Sequence, residues 1–324
     1  MSSTKKILVS SPTFGKYSPE SRERLREYGC EFDDLLRTDD PDRETILSHV
    51  EDAAAWVVGY TPVDEEALSR ASNLEIVAKH GTGVDNVDLE AAKEHGVVVA
   101  NAPGANANAV AELVVLHMLN ASRNLVRLDP TVRDREWNTQ IGRELTGKTV
   151  GIVGLGDIGQ AVVRRTQGFD LEYVAFDVEE RPEFQERYGV TLYEDLHEML
   201  PAADFVTTHV PLNEHTRHLL SAEEFRLMRE SAYVVNTARG GIVDEAALLS
   251  ALQNDEIAGA ALDVLEQEPP GDAEWYDDLL AEERVTFSPH LGGITEEAMG
   301  KVSDVTAENI RSVFEGEEPL FRVV

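Results

Sequence analysis

The stretch KTVGIVGLGDIG, residues 148 to 159, constrains this chain more than any other. An apolar, β-type run over Thr149–Val153 leads directly into Gly154, Gly156 and Gly159, and helical periodicity follows from 158 to about 168. A strand, a glycine turn and a helix N-terminus in that order are what a dinucleotide pyrophosphate needs. Gly154 allows the tight turn, Gly156 leaves the backbone bare for the phosphates, and Gly159 lets the helix lie close on the strand. The N–H groups and dipole at the helix N-terminus then hold the anion. A second strand, LEYVAF, ends at Asp177, eighteen residues after Gly159, where a carboxylate accepts hydrogen bonds from an adenosine ribose. Glycine triplets also occur in ordinary turns, and it is the combination with strand, helix and acid that selects the dinucleotide reading.

A length of 324 residues predicts about two domains with sizeable cores. The formal net charge of −32 comes from 61 acids spread along the whole chain against 29 basic residues, of which only seven are lysines. Nucleic acid and anionic membrane surfaces are thereby excluded as partners. A salt-adapted, halophilic surface, on which strong screening tolerates the self-repulsion, is the simplest physical account. Cys30 is the single cysteine, so there is no intrachain disulfide and no cysteine cluster for a metal. No basic and apolar leader is visible, and the most apolar run, AVAELVVLHML, is broken by Glu112 and His117 well short of the roughly 18 residues of a membrane span. A cytoplasmic protein is expected.

From the N-terminus, apolar strands alternate with helix-period segments: KILVSS, SPESRERLREYG, CEFDDLL, PDRETILSHVE, AAAWVVG, VDEEALSRAS, LEIVAKH, DLEAAKEHG and VVVAN. This predicts a parallel sheet with crossover helices and no phosphate-type fingerprint at its first turn. A long helix over Ala107–Arg123 then leads through TVRDREWN to the fingerprint strand. After Asp177 the alternation resumes, with YEDLHEMLP, SAEEFRLMRE and DEAALLSALQND as helices and ADFVTTHV, AYVVNTA, EIAGAALDV and RVTFSPH as strands. That makes six strands from Thr149 onward. A final helix, ITEEAMGKVSDVTAENIRSVFEG, is expected to return to the first domain. The fold class is therefore α/β, two doubly wound parallel-sheet domains: a discontinuous one at 1–101 and 292–324, and a dinucleotide-binding one at 102–291.

In such a sheet the ligand crevice lies at the carboxyl ends of the strands, which turns a long list of polar residues into a short one. Arg239 follows AYVVN beside Gly240 and Gly241, Glu268 follows IAGAALDV, and His290 follows RVTFSP. An arginine fork grips a carboxylate bidentately. A histidinium is the natural proton donor near neutral pH, and a neighbouring carboxylate keeps it charged and oriented. With a nicotinamide to bring hydride, the three side chains suffice to reduce a 2-keto acid. In the first domain, LEIVAKHGTGVDNVD places Gly81, Thr82 and Gly83 in a turn whose N–H groups can nest an anion, with Lys79 and His80 alongside. An ordinary strand-to-helix turn is the equal alternative there.

Taken together, KHGTGVDNVD, NAPGANANAVAE, GIVGLGDIG, VNTARGGIVDE, GAALDVLEQEPP and SPHLGG resemble the D-isomer-specific 2-hydroxyacid dehydrogenases over about residues 54 to 309, and within them the phosphoglycerate dehydrogenase-like branch. The resemblance implies a Rossmann cofactor domain and a flavodoxin-like substrate domain joined by two helices, with the active site in the cleft between them. It places Arg239, Glu268 and His290 on the family's catalytic positions, and Asp263 where the nicotinamide carboxamide is contacted. Thr82, Asp157, Ile158, Val210, Thr237 and Gly293 fall on further cofactor contacts. A homodimer formed through the cofactor domains is implied. The chain is expected to lack the C-terminal regulatory domain of long phosphoglycerate dehydrogenases. It carries GYTP at 59–62, where enzymes for the phosphorylated substrate present an arginine. A small, non-phosphorylated 2-keto or 2-hydroxy acid is the expected substrate. Asp177 argues for NAD because a ribose-binding carboxylate repels a 2′-phosphate, while Arg181 nearby keeps NADP open. Formate dehydrogenases share the scaffold but usually pair the histidine with glutamine, and NAD-sensing corepressors use it without turnover.

Overall fold

The computed structural model describes residues 4–35, 42–137 and 139–324. Leu36, Pro41 and Asn138, which belong to segments read above, lie outside the described residues. The chain divides into two compact units, Met1–Asn106 with Gly293–Val324, and Ala107–Gly292.

In the first unit, strands β1 (Lys5–Val9), β2 (Cys30–Asp34), β3 (Ala55–Val58), β4 (Ile76–Lys79) and β5 (Val98–Ala100) form one parallel sheet in the order β2-β1-β3-β4-β5. This is the flavodoxin-like order. Successive side chains alternate between two cores, as the two-residue period of a strand requires. Leu8, Trp56, Val58, Val77 and Val99 face Leu47, Leu68 and Ala92 of the crossover helices. Ile7, Val9, Val57, Ile76 and Ala78 face Leu25 and the last helix, Glu296–Phe314, through Ala307, Ile310 and Phe314. Both faces of β1, β3, β4 and β5 are covered, which is why these strands read as largely apolar runs, whereas edge strand β2, CEFDD, buries only Cys30. Part of the acid excess is structural. Asp42, Asp64 and Asp88 each accept a hydrogen bond from the backbone N–H three residues on, at 2.8, 3.0 and 3.0 Å, and so cap the three helices that follow them.

His80, at the tip of β4, is buried between Ser11 Oγ (3.1 Å from Nδ1) and Ser303 Oγ (2.9 Å from Nε2). Burial, helped by the charge of Lys79, pushes its imidazole from 6.5 down to about 4. The unfolded chain therefore binds a proton between those values that the folded chain does not. The corresponding stability is present above pH 6.5, is lost as pH falls toward 4, and amounts to about 3 kcal/mol. Chemical denaturation at pH 7 and pH 5 is expected to show this loss in the wild type and a shallower one in His80→Gln; equal pH slopes would exclude His80 as the source.

The second unit carries β6 (Thr149–Val153), β7 (Glu172–Phe176), β8 (Val190–Tyr193), β9 (Phe205–Thr208), β10 (Tyr233–Asn236), β11 (Gly259–Leu262) and β12 (Val285–Phe287). All pair in parallel in the order β12-β11-β10-β9-β6-β7-β8, a Rossmann sheet with one additional edge strand. The sheet has seven strands, not six. The strand not anticipated is β8, a four-residue edge element with only its first residue buried, so VTLY offers no apolar run to read. Three helices were also missed: Leu125–Arg133 and Pro182–Tyr188, which bury no residue, and Glu274–Ala281. Helix Ala107–Arg123 packs Ala111, Val114 and Met118 against Val150, Ile152 and Ala161. The order reverses between β6 and β9, and the tips there and on β10 to β12 are where a ligand crevice opens. Among the described residues no helix is long and apolar enough to cross a membrane.

Candidate active site

The glycine turn after β6 is shaped by the protein's own atoms at two positions. Gly154 has φ +96, and a Cβ there would meet His209 O at 2.8 Å; a Cβ on Gly159 would stand 2.2 Å from Gly154 O. Gly156 is different, because, its chain neighbours apart, no atom of the described residues lies within 4 Å of where its Cβ would be. It is also the N-cap of helix Asp157–Thr166, which has no side-chain cap, so the amides of its first turn, beginning at Asp157 and Ile158, are left for another acceptor. At the tip of β7, Asp177 accepts from Leu155 N (2.6 Å) and Glu179 N (2.8 Å), which fixes its carboxylate beside this turn. Val210 stands by the same turn, with Cγ1 2.9 Å from a Cβ on Gly154. After β10, Thr237 is buried and its hydroxyl has no partner among the described residues. A bare glycine, an uncapped helix and an orphaned hydroxyl along one set of strand tips fit a dinucleotide.

The tips of β10, β11 and β12 bring three further residues together. His290 Nδ1 lies 2.8 Å from Glu268 Oε2, and Glu268 Oε1 accepts from Leu265 N at 3.1 Å. Burial alone would raise the Glu268 carboxyl. The hydrogen bond and charge of His290, the Leu265 amide and the Arg239 guanidinium overcome it and hold the group below the usual glutamate value. Arg239 donates from Nη1 to Ala238 O (2.7 Å), and its own carbonyl accepts from Asn236 Nδ2 (2.9 Å). Gly240 is indispensable to this turn, because a Cβ there would stand 1.9 Å from Leu265 O in the loop that leads to Glu268.

His290 adopts φ +53, the left-handed region that costs a non-glycine residue about 1 kcal/mol. Asp263 compensates. Its carbonyl accepts from His290 N (2.7 Å), and its buried carboxylate accepts from Leu291 N, Gly292 N and Ser288 Oγ at 2.8, 2.8 and 2.6 Å. Ser288 also touches buried His117 Nε2 at 3.1 Å. Burial lowers the His117 pKa, against the opposing charge of Asp263. Asn236 and His117 were passed over in the sequence. The signal available for each was a polar residue inside an otherwise apolar strand or helix.

Lys79, Gly81, Thr82, Gly83 and Gly293 belong to the first unit. Lys79 is buried, donating to Gly59 O (2.5 Å) and Asn86 Oδ1 (2.6 Å). Thr82 Oγ1 donates to Asn106 Oδ1 (3.1 Å), and Asn101 Nδ2 donates to Thr82 O (2.6 Å). Gly293 lies against the same Asn106, whose Nδ2 is 2.7 Å from where a Cβ would stand. Gly81 and Gly83 lie in the half-buried turn around Thr82.

A Rossmann sheet whose tips carry an arginine, a glutamate and a histidine in one electrostatic group defines a nucleotide-dependent oxidoreductase. Residues 115–292 match the D-isomer-specific 2-hydroxyacid dehydrogenase family, NAD-binding domain. The chain belongs to this family of NAD-dependent oxidoreductases acting on 2-hydroxy acids. It is similar to the D-3-phosphoglycerate dehydrogenase of Methanocaldococcus jannaschii, 42% identical over 85% of this chain and 52% of that one. It thus spans about half the length of that relative. It is 38% identical to the glyoxylate reductase of Korarchaeum cryptofilum over 86% of this chain and 85% of that protein. Among solved structures, the TT0316 protein of Thermus thermophilus superposes with a TM-score of 0.87 and 33% identity, covering 98% of this chain and 100% of that one.

Proposed function

We propose that the chain reversibly reduces a small, non-phosphorylated 2-keto acid to the D-2-hydroxy acid, with the second unit as cofactor domain and the first as substrate domain. The observation that carries this is the His290–Glu268 contact at 2.8 Å with Arg239 beside it. Gly154, Gly156, Asp157, Ile158, Gly159, Asp177, Val210, Thr237 and Asp263 of the second unit would hold NAD. A nicotinamide held there would supply the hydride for the carbonyl carbon. His290 has Nδ1 committed to Glu268, so Nε2 is the atom that delivers the proton to the carbonyl oxygen. An ionised Glu268 stabilises the charged imidazole and sets its orientation. Arg239 pairs with the substrate carboxylate or carbonyl. Asp263 uses three protein donors, leaving acceptor capacity on Oδ2 for a carboxamide N–H. In the first unit, the turn at Gly81, Thr82 and Gly83 beside Lys79 serves the substrate carboxylate.

Asp177 favours NAD over NADP. A cytoplasmic enzyme with a halophilic surface accounts for the single cysteine and the net charge of −32. A homodimer is supported by the apolar side chains exposed along one segment of the second unit: Leu116, Leu125, Val126, Val132, Trp137 and Ile141, the last 97% exposed.

Steady-state oxidation of NADH, and separately NADPH, in molar and in dilute KCl tests the reading against a panel from glyoxylate and pyruvate to branched 2-keto acids and 3-phosphohydroxypyruvate. Turnover of unphosphorylated acids with NADH, rising with salt, is expected, and sedimentation in the same buffer should give twice 35.8 kDa. Tight dinucleotide binding with no turnover on any acid would overturn the enzyme reading, and full activity in dilute buffer the halophilic one.

A further inference from the structure

Beneath the loop that presents Glu268 lies a buried carboxylate to which the mechanism above gives no part. Glu245 opens helix Glu245–Gln253 and is 2% exposed, and Tyr276 of helix Glu274–Ala281 is 3% exposed. Glu245 Oε1 accepts from the backbone of Glu266 (N–O 2.5 Å), and Oε2 accepts from Tyr276 OH at 2.7 Å. The same phenol oxygen accepts from Gln267 N at 3.2 Å. Since Leu265 N donates to Glu268 Oε1, three successive amides of this loop end on side chains, two of them on the Glu245–Tyr276 pair.

We propose that Glu245 and Tyr276 are positioning residues for proton transfer: they clamp the loop at 265–267 so that Glu268 stays on His290. This rests on the roles given to Glu268 and His290 above. The clamp has few alternatives, because Gly240 lies so close to the 265–266 peptide that a Cβ there would stand 1.9 Å from Leu265 O and 2.5 Å from Glu266 N. A buried carboxylate that loses a donor is costly, so the pair acts as a unit. Burial, together with the charge of Glu245, pushes the Tyr276 phenol far above its ordinary range, which keeps it a donor at every working pH. Burial likewise raises the Glu245 carboxyl, as do the nearby Glu266 and Asp244 charges, against the lowering hydrogen bonds from Tyr276 and the Glu266 amide. The Glu266 side chain itself is engaged elsewhere, pairing with Arg217 and lying 3.5 Å from His218 Nε2, so that only its backbone amide belongs to the clamp.

The test uses the full chain with Tyr276→Phe, which keeps the ring and removes only the hydroxyl, alongside Glu245→Ala and the conservative Glu245→Gln. Amide hydrogen exchange in the free protein is expected to lose about tenfold or more protection at 265–267 in the first two variants and less in Glu245→Gln, with helix Asp157–Thr166 unchanged. On a turned-over 2-keto acid, kcat should fall by about 10- to 100-fold with dinucleotide Kd unaltered. The pH profile of kcat should move in the direction seen for Glu268→Gln, and Glu245→Ala added to Glu268→Gln should cost little more. Wild-type protection at 265–267 in Tyr276→Phe would overturn the proposal. So would lost protection with unchanged kcat and pH profile, or fully multiplicative losses in the double variant. A wild-type protein that turns over no acid would overturn the enzyme reading instead, and the exchange measurement would still decide the clamp.

Discussion

Replacing His290 with alanine is expected to lower kcat by about two to four orders of magnitude, the range that one general acid–base group supplies, while dinucleotide affinity stays as it was. The expectation follows from the geometry at the tip of β12. The imidazole has one nitrogen on Glu268 at 2.8 Å and is held in a left-handed backbone conformation by the Asp263 carbonyl. Glu268→Gln should lose less, because the amide keeps the size and one acceptor but not the charge. The double variant should be little worse than His290→Ala alone, because the two act as one unit. A His290→Ala protein with near-normal kcat would remove His290 from the chemistry altogether.

The second large effect belongs to the glycine turn, where two neighbouring glycines are expected to fail differently. In Gly159→Ala the new Cβ would stand 2.2 Å from Gly154 O and 2.9 Å from Ile152 Cγ2, so the helix must move off β6. Overpacking of this kind costs about 1–3 kcal/mol, and both unfolding midpoint and dinucleotide affinity should drop. In Gly156→Ala the Cβ meets nothing within 4 Å, so the midpoint should hold while affinity falls by at least about tenfold. Calorimetric titration with NADH and thermal melts separate the two. Unimpaired NADH binding by Gly156→Ala would displace the pyrophosphate from this turn.

Much of this was legible in advance, for identifiable reasons. Strands buried on both faces, such as β3 and β6, announce themselves as apolar runs, and the carboxyl-end rule singled out Arg239, Glu268 and His290 from many polar residues. The missed pieces carry weak local signals. Edge strand β8 is mostly half-exposed or exposed, and helix Leu125–Arg133 buries nothing at all. Glu245 is one acid among 61, and only the fold shows that it lies under the Glu268 loop. Thr237 and Asn236 were visible in VNTARGG, but an orphaned hydroxyl and an amide that braces the Arg239 carbonyl are properties of packing, not of spelling.

The aspartates at helix starts divide the protein's negative charge into two populations. Asp42, Asp64, Asp88, Asp195 and Asp244 accept backbone N–H bonds at helix N-termini. Glu283, Glu214 and Asp278 are exposed as well, but among the described residues their carboxylates accept no backbone N–H; Glu283 and Glu214 lie instead 3.1 Å from Arg127 and 3.5 Å from His215. Neutralising Asp278 would remove a surface charge without touching the backbone, whereas each acid of the first group is a keystone of its helix, worth about 1 kcal/mol. Net charge is thus a poor guide to how far the surface can be rewritten; the map of which carboxylates the backbone already holds is the better one.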